Sequence, residues 1–319
     1  MDVRDIHTPV LLDRCIELLA PALSHEGAVL VDATEGMGGH SEALLERFGG
    51  IHLIGLDRDT AALRIAGQRL SRFGDRVTLV HAVYDGIVDA VAQAGRTRVD
   101  GILFDLGVSS LHLDDASRGF SYAHDAPLDM RMDQTDGLTA ADILATYAEG
   151  DLRRIFERYG EEKLAARYAR AIVAARADGA ITRSARLVEI LIAATPAAVL
   201  RERAGHPAKR VFQALRIEVN TELAVWERAL PAAMGLLPVG GRIVVMSYQS
   251  LEDRYTKRVF AAASSSTAPV GLPVELAEHA PRFRLLVKGA ELASADERVA
   301  NPRATPVRLR AAERLRAAA

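Results

Sequence analysis

Ala28-Val29-Leu30-Val31-Asp32-Ala33-Thr34-Glu35-Gly36-Met37-Gly38-Gly39-His40-Ser41 decides the fold. A short apolar run ends in an acid, enters a glycine cluster and gives way to a helical pattern from Ser41 to Phe48. Strand, glycine turn and helix in immediate succession form the ligand-binding unit of doubly wound folds. There glycines let the backbone approach a ligand and the helix start offers unpaired amides. Working outward, His52–Asp57 reads as a second strand that again ends in an acid. A helix over Thr60–Phe73, a strand over Val77–His81, a helix over 85–94 and a strand over Gly101–Asp105 follow. Near-continuous apolar strands alternating with helices predict parallel strands covered on both faces, hence an α/β domain. Upstream, Thr8-Pro9 reads as an N-cap followed by proline, opening a helix to about Leu19.

The rhythm breaks after Ser110. Residues 111–137 are polar and turn-rich, and 139–204 read as several helices without a strand. A long apolar-periodic helix, Ala208–Leu230, leads through Pro238-Val239-Gly240-Gly241 into the strand Arg242–Ser247. Ala263–Pro273 reads as a loop, and Arg282–Val287 with Pro306–Arg310 as a terminal strand pair. The expectation is therefore a mixed, mostly parallel sheet interrupted by an all-α insertion. Its domains are residues 1–112 with 208–319, and the helical insertion 113–207.

At 319 residues, 49% hydrophobic and 26% charged, the chain has ample apolar mass for such a core. Its single cysteine excludes an intramolecular disulfide, and Cys15 falls on an apolar helix face with Val10, Leu11, Leu18 and Leu19, which favours packing over reactivity. No apolar run reaches membrane-spanning length and the N-terminus lacks a signal-peptide layout, so a cytoplasmic protein without membrane association is expected. The net charge of −2 hides an asymmetry. Residues 151–216 carry fourteen Lys/Arg against seven Asp/Glu, whereas 110–150 carry eight acids against two arginines. On charge alone, a solvated helix face whose arginines pair with neighbouring acids accounts for the basic block better than a polyanion site does.

Two nucleotide-binding classes compete for the glycine turn. A dinucleotide fold calls for G-x-G-x-x-G/A, and here Ser41 holds the third position. No Gly-Lys-Ser/Thr follows, which excludes a P-loop. Asp57 lies 21 residues beyond Gly36, where an acid accepts from a ribose diol; NAD and S-adenosylmethionine share that ribose. Asp32 separates them, because a carboxylate sits badly beside a pyrophosphate but suits a cationic methionine moiety. Asp105 ends the fourth strand at the carboxyl edge, where open α/β sheets bind ligands. It reads equally as a turn cap or as a group that positions an acceptor and takes its proton. The aspartates of 114–136 lack EF-hand order, and Asp129, Asp133 and Asp136 read as turn caps and arginine partners. No metal site is expected, and His7 and His40 have no zinc-ligand spacing.

Further motifs carry a resemblance: His7-Thr8-Pro9-Val10-Leu11-Leu12, Asp57-Arg58-Asp59, Asp105-Leu106-Gly107-Val108-Ser109-Ser110 and Leu113-Asp114-Asp115-x-x-Arg118-Gly119-Phe120-Ser121. Pro127-Leu128-Asp129-Met130-Arg131-Met132-Asp133, Tyr159-Gly160-Glu161-Glu162, Phe212-Gln213-Ala214-Leu215-Arg216-Ile217, Asn220-x-Glu222-Leu223, Ser250-Leu251-Glu252-Asp253-Arg254 and Asn301-Pro302-Arg303-Ala304 continue it. With these the chain resembles, nearly end to end, the RsmH/MraW family of bacterial 16S ribosomal RNA (cytosine-N4) methyltransferases. The resemblance implies a class I, Rossmann-like methyltransferase that uses S-adenosylmethionine. Implied cofactor contacts are Gly38, Gly39, His40, Asp57, Tyr84, Asp105 and His112, with Tyr84 where phenylalanine is common and His112 where glutamine is. Asp105 is the catalytic candidate, and Gln249 stands where a histidine is frequent, which argues against a general base there. The insertion becomes the RNA-facing element. Arg153, Arg154, Lys163, Arg167, Arg170, Lys209 and Arg210 are its phosphate candidates, and Ser109, Arg118, Phe120, Arg131 and Tyr248 the acceptor-side ones, with Phe120 or Tyr248 stacking on an extruded base. The implied partner is 16S rRNA or the small ribosomal subunit; the oligomeric state stays open, a dimer included.

Overall fold

In the computed structural model, which describes residues 9–109, 115–202, 205–269 and 276–317, the chain divides into two compact units. One comprises residues 1–107 and 224–319, the other 108–223. The strands are β1 (Val29–Asp32), β2 (His52–Asp57), β3 (Val77–His81), β4 (Gly101–Asp105), β5 (Arg242–Ser247), β6 (Phe283–Leu285) and β7 (Arg308–Arg314). Helices α1 (Leu12–Leu23), α2 (Gly39–Arg47), α3 (Thr60–Leu70) and α4 (Ile87–Gln93) alternate with the first four strands. After β4 come α5 (Ala140–Thr146), α6 (Glu149–Arg158), α7 (Ala165–Ala177), α8 (Ser184–Ala194), α9 (Ala197–Glu202) and α10 (Ala208–Asn220). Finally α11 (Glu222–Leu236), α12 (Ser250–Ala263) and α13 (Ala295–Ala300) accompany the last three strands.

The first unit is one sheet in the order β3-β2-β1-β4-β5-β7-β6. Its first five strands are parallel, and β7 runs antiparallel to β5 and β6. Central strands are apolar on both faces because both faces are covered. Val31, Ile54, Phe104 and Val245 point to a core closed by α4 and by Trp226 and Leu230 of α11. Their neighbours Leu30, Leu53, Leu103 and Val244 point the other way, onto Cys15 and Leu19 of α1 and Leu44 of α2. Each fully buried aliphatic side chain contributes about 1.5–3 kcal/mol to holding these layers. Cys15 is packed as the sequence suggested, and burial pushes its thiol pKa up.

The helical unit has its own core, with Leu152, Phe156, Tyr168, Leu187, Phe212 and Leu215 at its centre. A capping box between Thr139 and Asp142 starts α5. The preceding loop is tied down at Asn220: its amide donates to the Met130 and Arg216 carbonyls at 2.8 and 2.9 Å, and its oxygen accepts from the Met132 N–H at 2.8 Å.

Three local expectations change. The first helix starts at Leu12 rather than at Thr8-Pro9, because Leu11 takes a left-handed conformation (φ 52°), and it continues through Pro21 to Leu23. Thr8 and His7 lie outside the described residues, as do residues 270–273 of the expected loop. The single helix expected over Ala208–Leu230 is two, broken at Thr221 (φ 50°), whose N–H closes α10 on the Ile217 and Glu218 carbonyls. Since Val211, Phe212 and Leu215 of α10 face the helical core, the division falls between residues 223 and 224, whereas the sequence placed it between 207 and 208.

Candidate active site

The sheet reverses its winding between β1 and β4, the position at which open α/β sheets form a ligand crevice. Asp57, Asp32 and Asp105 end the adjacent strands β2, β1 and β4, so three carboxylates line one carboxyl edge. The turn after β1 is shaped by Gly38, which caps α2 at φ 82°, a conformation that costs a residue with a Cβ about 1–2 kcal/mol. Gly39 is the first helical residue. Asp57 ties the turn to β2: its Oδ2 accepts from the Gly36 N–H and its Oδ1 from the Asp59 N–H, both at 2.8 Å.

Beneath the turn, Asp32 and Glu35 are both buried, 2% and 3% exposed. Asp32 accepts from the Thr34 N–H at 3.1 Å. Ser41 Oγ lies 3.2 Å from Asp32 Oδ2 and 2.7 Å from Glu35 Oε2. Burial pushes the Asp32 carboxyl up to about 6, against the opposing pull of His40 and the Thr34 hydrogen bond. Glu35 is pushed well above the ordinary range, first by burial and then by Asp32. The Glu35 carboxyl fits only because residue 55 on β2 is glycine; a Cβ there would meet its Oε2 at 2.3 Å.

Asp105 is held from several sides. Its N–H donates to Thr34 Oγ1 at 2.6 Å, and its Oδ1 accepts from the Tyr248 hydroxyl at 2.7 Å. His40 Nδ1 stands 3.8 Å from Asp105 Oδ2. Since a carbonyl can only accept, the 3.0 Å contact from His40 Nε2 to the Val10 oxygen places a proton on Nε2 and turns Nδ1 toward the carboxylate. Burial and the neighbouring Asp105 raise the Tyr248 hydroxyl well above the usual tyrosine range, so it stays a donor. Tyr84 follows β3 and sits edge-on to Phe104 and Trp226, with ring centroids 5.9 and 6.1 Å away. Gln249 is buried and donates to Glu252 Oε1 at 2.8 Å within a capping box at the start of α12, a structural task.

The structure thus brings Gly38, Gly39, His40, Asp57, Tyr84, Asp105 and Tyr248 into the sheet unit. Ser109, Arg118, Phe120, Arg131, Lys209 and Arg210 belong to the helical unit, and His112 lies outside the described residues. Within the helical unit the acceptor-side candidates separate. Arg118 is 6% exposed and donates to the Met132 carbonyl at 2.8 Å and to Gln134 at 3.3 Å. Phe120 is a member of the helical core, not a surface platform for a base. Arg131 forms a two-pronged pair with Asp129, both arms at 2.9 Å. Ser109 is half-buried, while Lys209 and Arg210 are exposed on α10, Arg210 reaching the Glu161 carbonyl. Of the other basic candidates, Arg153 pairs with Glu157 at 2.8 Å, Arg154 with Asp151 at 3.6 Å and Arg170 with Glu149 at 3.7 Å, all exposed. Exposed pairs of this kind are worth about 0.2–1 kcal/mol, so a phosphate can displace the acid. Lys163 and Arg167 are exposed as well. Asp129 pairs with Arg131, Asp133 caps Thr135 at 2.9 Å and Asp136 accepts from Gly137 at 2.7 Å, as turn acids do. Among the described residues no group of three or more His, Cys, Asp or Glu could hold a metal ion, and no helix is long and apolar enough to cross a membrane.

Sequence reasoning missed Glu35, Ser41 and Thr34. The available signal was the pairing of Glu35 in the turn with glycine at residue 55 of an otherwise bulky strand. Chemically, the turn joins buried carboxylates to a left-handed glycine at a helix start. That donor set fits a cationic nucleoside such as S-adenosylmethionine: burial raises Asp32, and a positive charge beside it would offset that penalty.

A family model described as the MraW methylase family matches residues 4–315. "Ribosomal RNA small subunit methyltransferase H" of Leifsonia xyli subsp. xyli (strain CTCB07) is 69% identical over 313 residues, 98% of this chain and 96% of that protein. The protein of that name from Clavibacter michiganensis subsp. michiganensis (strain NCPPB 382) is 68% identical over 316 residues, 99% of each chain. Among solved structures, an rRNA methylase from Streptococcus thermophilus is 14% identical with a TM-score of 0.44, covering 97% of this chain and 99% of its own.

Proposed function

The chain belongs to the MraW methylase family, and from that premise we propose that it methylates the exocyclic N4 amine of one cytidine in 16S ribosomal RNA, at the decoding centre of the small subunit. It is a methyltransferase, and S-adenosylmethionine is its methyl donor. The cofactor supplies a methyl group on a sulfonium, whose carbon–sulfur bond breaks with the electron pair left on sulfur. The chain's task is to hold donor and acceptor in line and to take one proton from N4. Asp57, Gly38 and Gly39 hold the nucleoside, Tyr84 offers its ring to the adenine, and Asp32 faces the positive charge. Asp105 orients the N4 amine and accepts its proton, with the Tyr248 hydroxyl fixing the carboxylate and Thr34 its backbone.

On the helical unit, Arg153, Arg154, Lys163, Arg167, Arg170, Lys209 and Arg210 receive phosphates without reading sequence. Arg118 and Phe120 support the loop from inside the unit, and Arg131 is presented by Asp129. Tyr248 acts on Asp105 through its hydroxyl in place of stacking on a base. The observation that carries the reading is the convergence of Asp32, Asp57 and Asp105 on one carboxyl edge, within a family match spanning residues 4–315. Nucleoside mass mapping of 16S rRNA from a deletion strain, with and without complementation, tests it. N4-methylcytidine lost and then restored at one decoding-centre position is the expected result; label from the donor found outside N4-methylcytidine would overturn it.

A further inference from the structure

We propose that Glu35 is a positioning residue that stays protonated at neutral pH and donates through Ser41 onto Asp32, so that one proton shared along Glu35–Ser41–Asp32 aims the Asp32 carboxylate at the donor's positive charge. The geometry rests on counting hydrogens. Ser41 Oγ has one hydrogen, yet lies 2.7 Å from Glu35 Oε2 and 3.2 Å from Asp32 Oδ2. Two ionised carboxylates would compete for it, and one contact would set oxygen against oxygen. With a proton on Glu35 Oε2, each contact has one donor: Glu35 gives to Ser41 and Ser41 gives to Asp32.

The second oxygen of Glu35 agrees with this. Among the described residues Oε1 is buried without a hydrogen-bond partner. That is tolerable for the carbonyl oxygen of a neutral acid and costly for half of a carboxylate. The pocket around it was made for the group, since Gly55 and Gly38 leave the space that Glu35 fills. The charged groups that face Glu35 are Asp32 from β1, Asp57 from β2 and Arg69 from α3; His40 and Asp105 act on Asp32. Burial and the two aspartates outweigh Arg69 and the Ser41 bond, so the proton resides on Glu35 rather than on Asp32.

The inference rests on the donor reading above for its purpose but not for its test. Infrared spectra of the apo full-length chain, with carbon-13 in the glutamate carboxyls, are expected to show one protonated carboxylic acid band at pH 7.5. It should be absent from Glu35→Gln and displaced in Ser41→Ala. Glu35→Gln keeps an N–H donor toward Ser41, so its calorimetric S-adenosylmethionine affinity should stay within about threefold of the parent. Ser41→Ala should lose about tenfold, the scale of one hydrogen bond. No protonated glutamate band in the parent at pH 7.5 overturns the proposal. So does a Glu35→Gln variant that keeps its circular dichroism but loses cofactor as Ser41→Ala does. If the parent shows the band and binds no cofactor, the donor reading fails while the shared proton stands.

Discussion

Replacing Asp32 with asparagine should stabilise the first unit while weakening the cofactor site. The folded state holds the Asp32 proton up to about pH 6, whereas the unfolded chain releases it near the ordinary value of about 3.9. Because the folded form binds this proton more tightly, the penalty is absent well below pH 4, grows as pH rises and is complete above about pH 6. A shift of about two units at ~1.4 kcal/mol each is a penalty of about 3 kcal/mol for a group wholly out of water. Asparagine removes it at modest cost. Its oxygen still accepts from Thr34, and its Nδ2 can donate to Ser41 Oγ, which has lone pairs both for it and for the Glu35 proton. The assay is urea unfolding of apo protein followed by Trp226, the chain's single tryptophan, which is fully buried in the first unit. At pH 8 Asp32→Asn should exceed the parent by about 1–3 kcal/mol, and by about half that at pH 5. Calorimetry should show S-adenosylmethionine affinity reduced by about tenfold or more, the cost of losing a buried charge partner. A variant less stable than the parent by the same margin at pH 5 and pH 8 would refute the reasoning.

Tyr248→Phe removes the 2.7 Å bond to Asp105 and should lower the single-turnover methylation rate about tenfold at saturating donor, with Tm unchanged to within a few degrees. Asp105→Asn should lower that rate by about 100-fold or more; a rate retained at saturating donor would leave Asp105 a cofactor-holding role only. Arg167→Ala should reduce the slope of log Kd for rRNA against log salt by about one, whereas Arg118→Ala, from an interior position, should lower stability and leave the slope unchanged. Gly119→Ala sets a Cβ 2.0 Å from the Pro127 carbonyl oxygen at φ 73°, so urea unfolding of the helical unit should move by at least about 3 kcal/mol, circular dichroism at 222 nm being the readout.

Strands β2, β4 and β5 were legible to the residue, because a strand covered on both faces has to be apolar at nearly every position, and β3, the half-exposed edge strand, was legible from its β-branched Val-Thr-Leu-Val run. The acids that end β1, β2 and β4 were legible for the opposite reason: a carboxylate closing such a run has no packing task. Thr221 was not legible, since the apolar period of α10 continues into α11 across it and only the left-handed backbone breaks the helix. Arg118 read as an acceptor-side contact because it stands in a polar, turn-rich loop after the fourth strand. Its burial comes from the Met132 carbonyl, fourteen residues on, which no local pattern announces. Glu35 has the same history, its pocket being cut by a glycine on another strand.

The two units carry opposite electrostatic assignments, and their costs differ in kind. On the helical unit the ion pairs of Arg153, Arg154 and Arg170 are exposed and weak, so that part of its basic surface costs little to keep and yields readily to phosphate. In the sheet unit Asp32 and Glu35 are buried, and both hold protons more tightly than they would in water. A core selected for stability alone would have no carboxylate at residue 32, since an amide keeps the Thr34 bond and meets Ser41 as a donor, without the charge. That the costlier group stands at the winding reversal, against a turn shaped by Gly38, argues that its charge serves the ligand rather than the fold. Glu35 then has a reason to be neutral. A second full charge 2.7 Å from Ser41 would add to the penalty without reaching the crevice, whereas a neutral acid in the same place lends Asp32 a donor and leaves the single negative charge where the sulfonium has to sit.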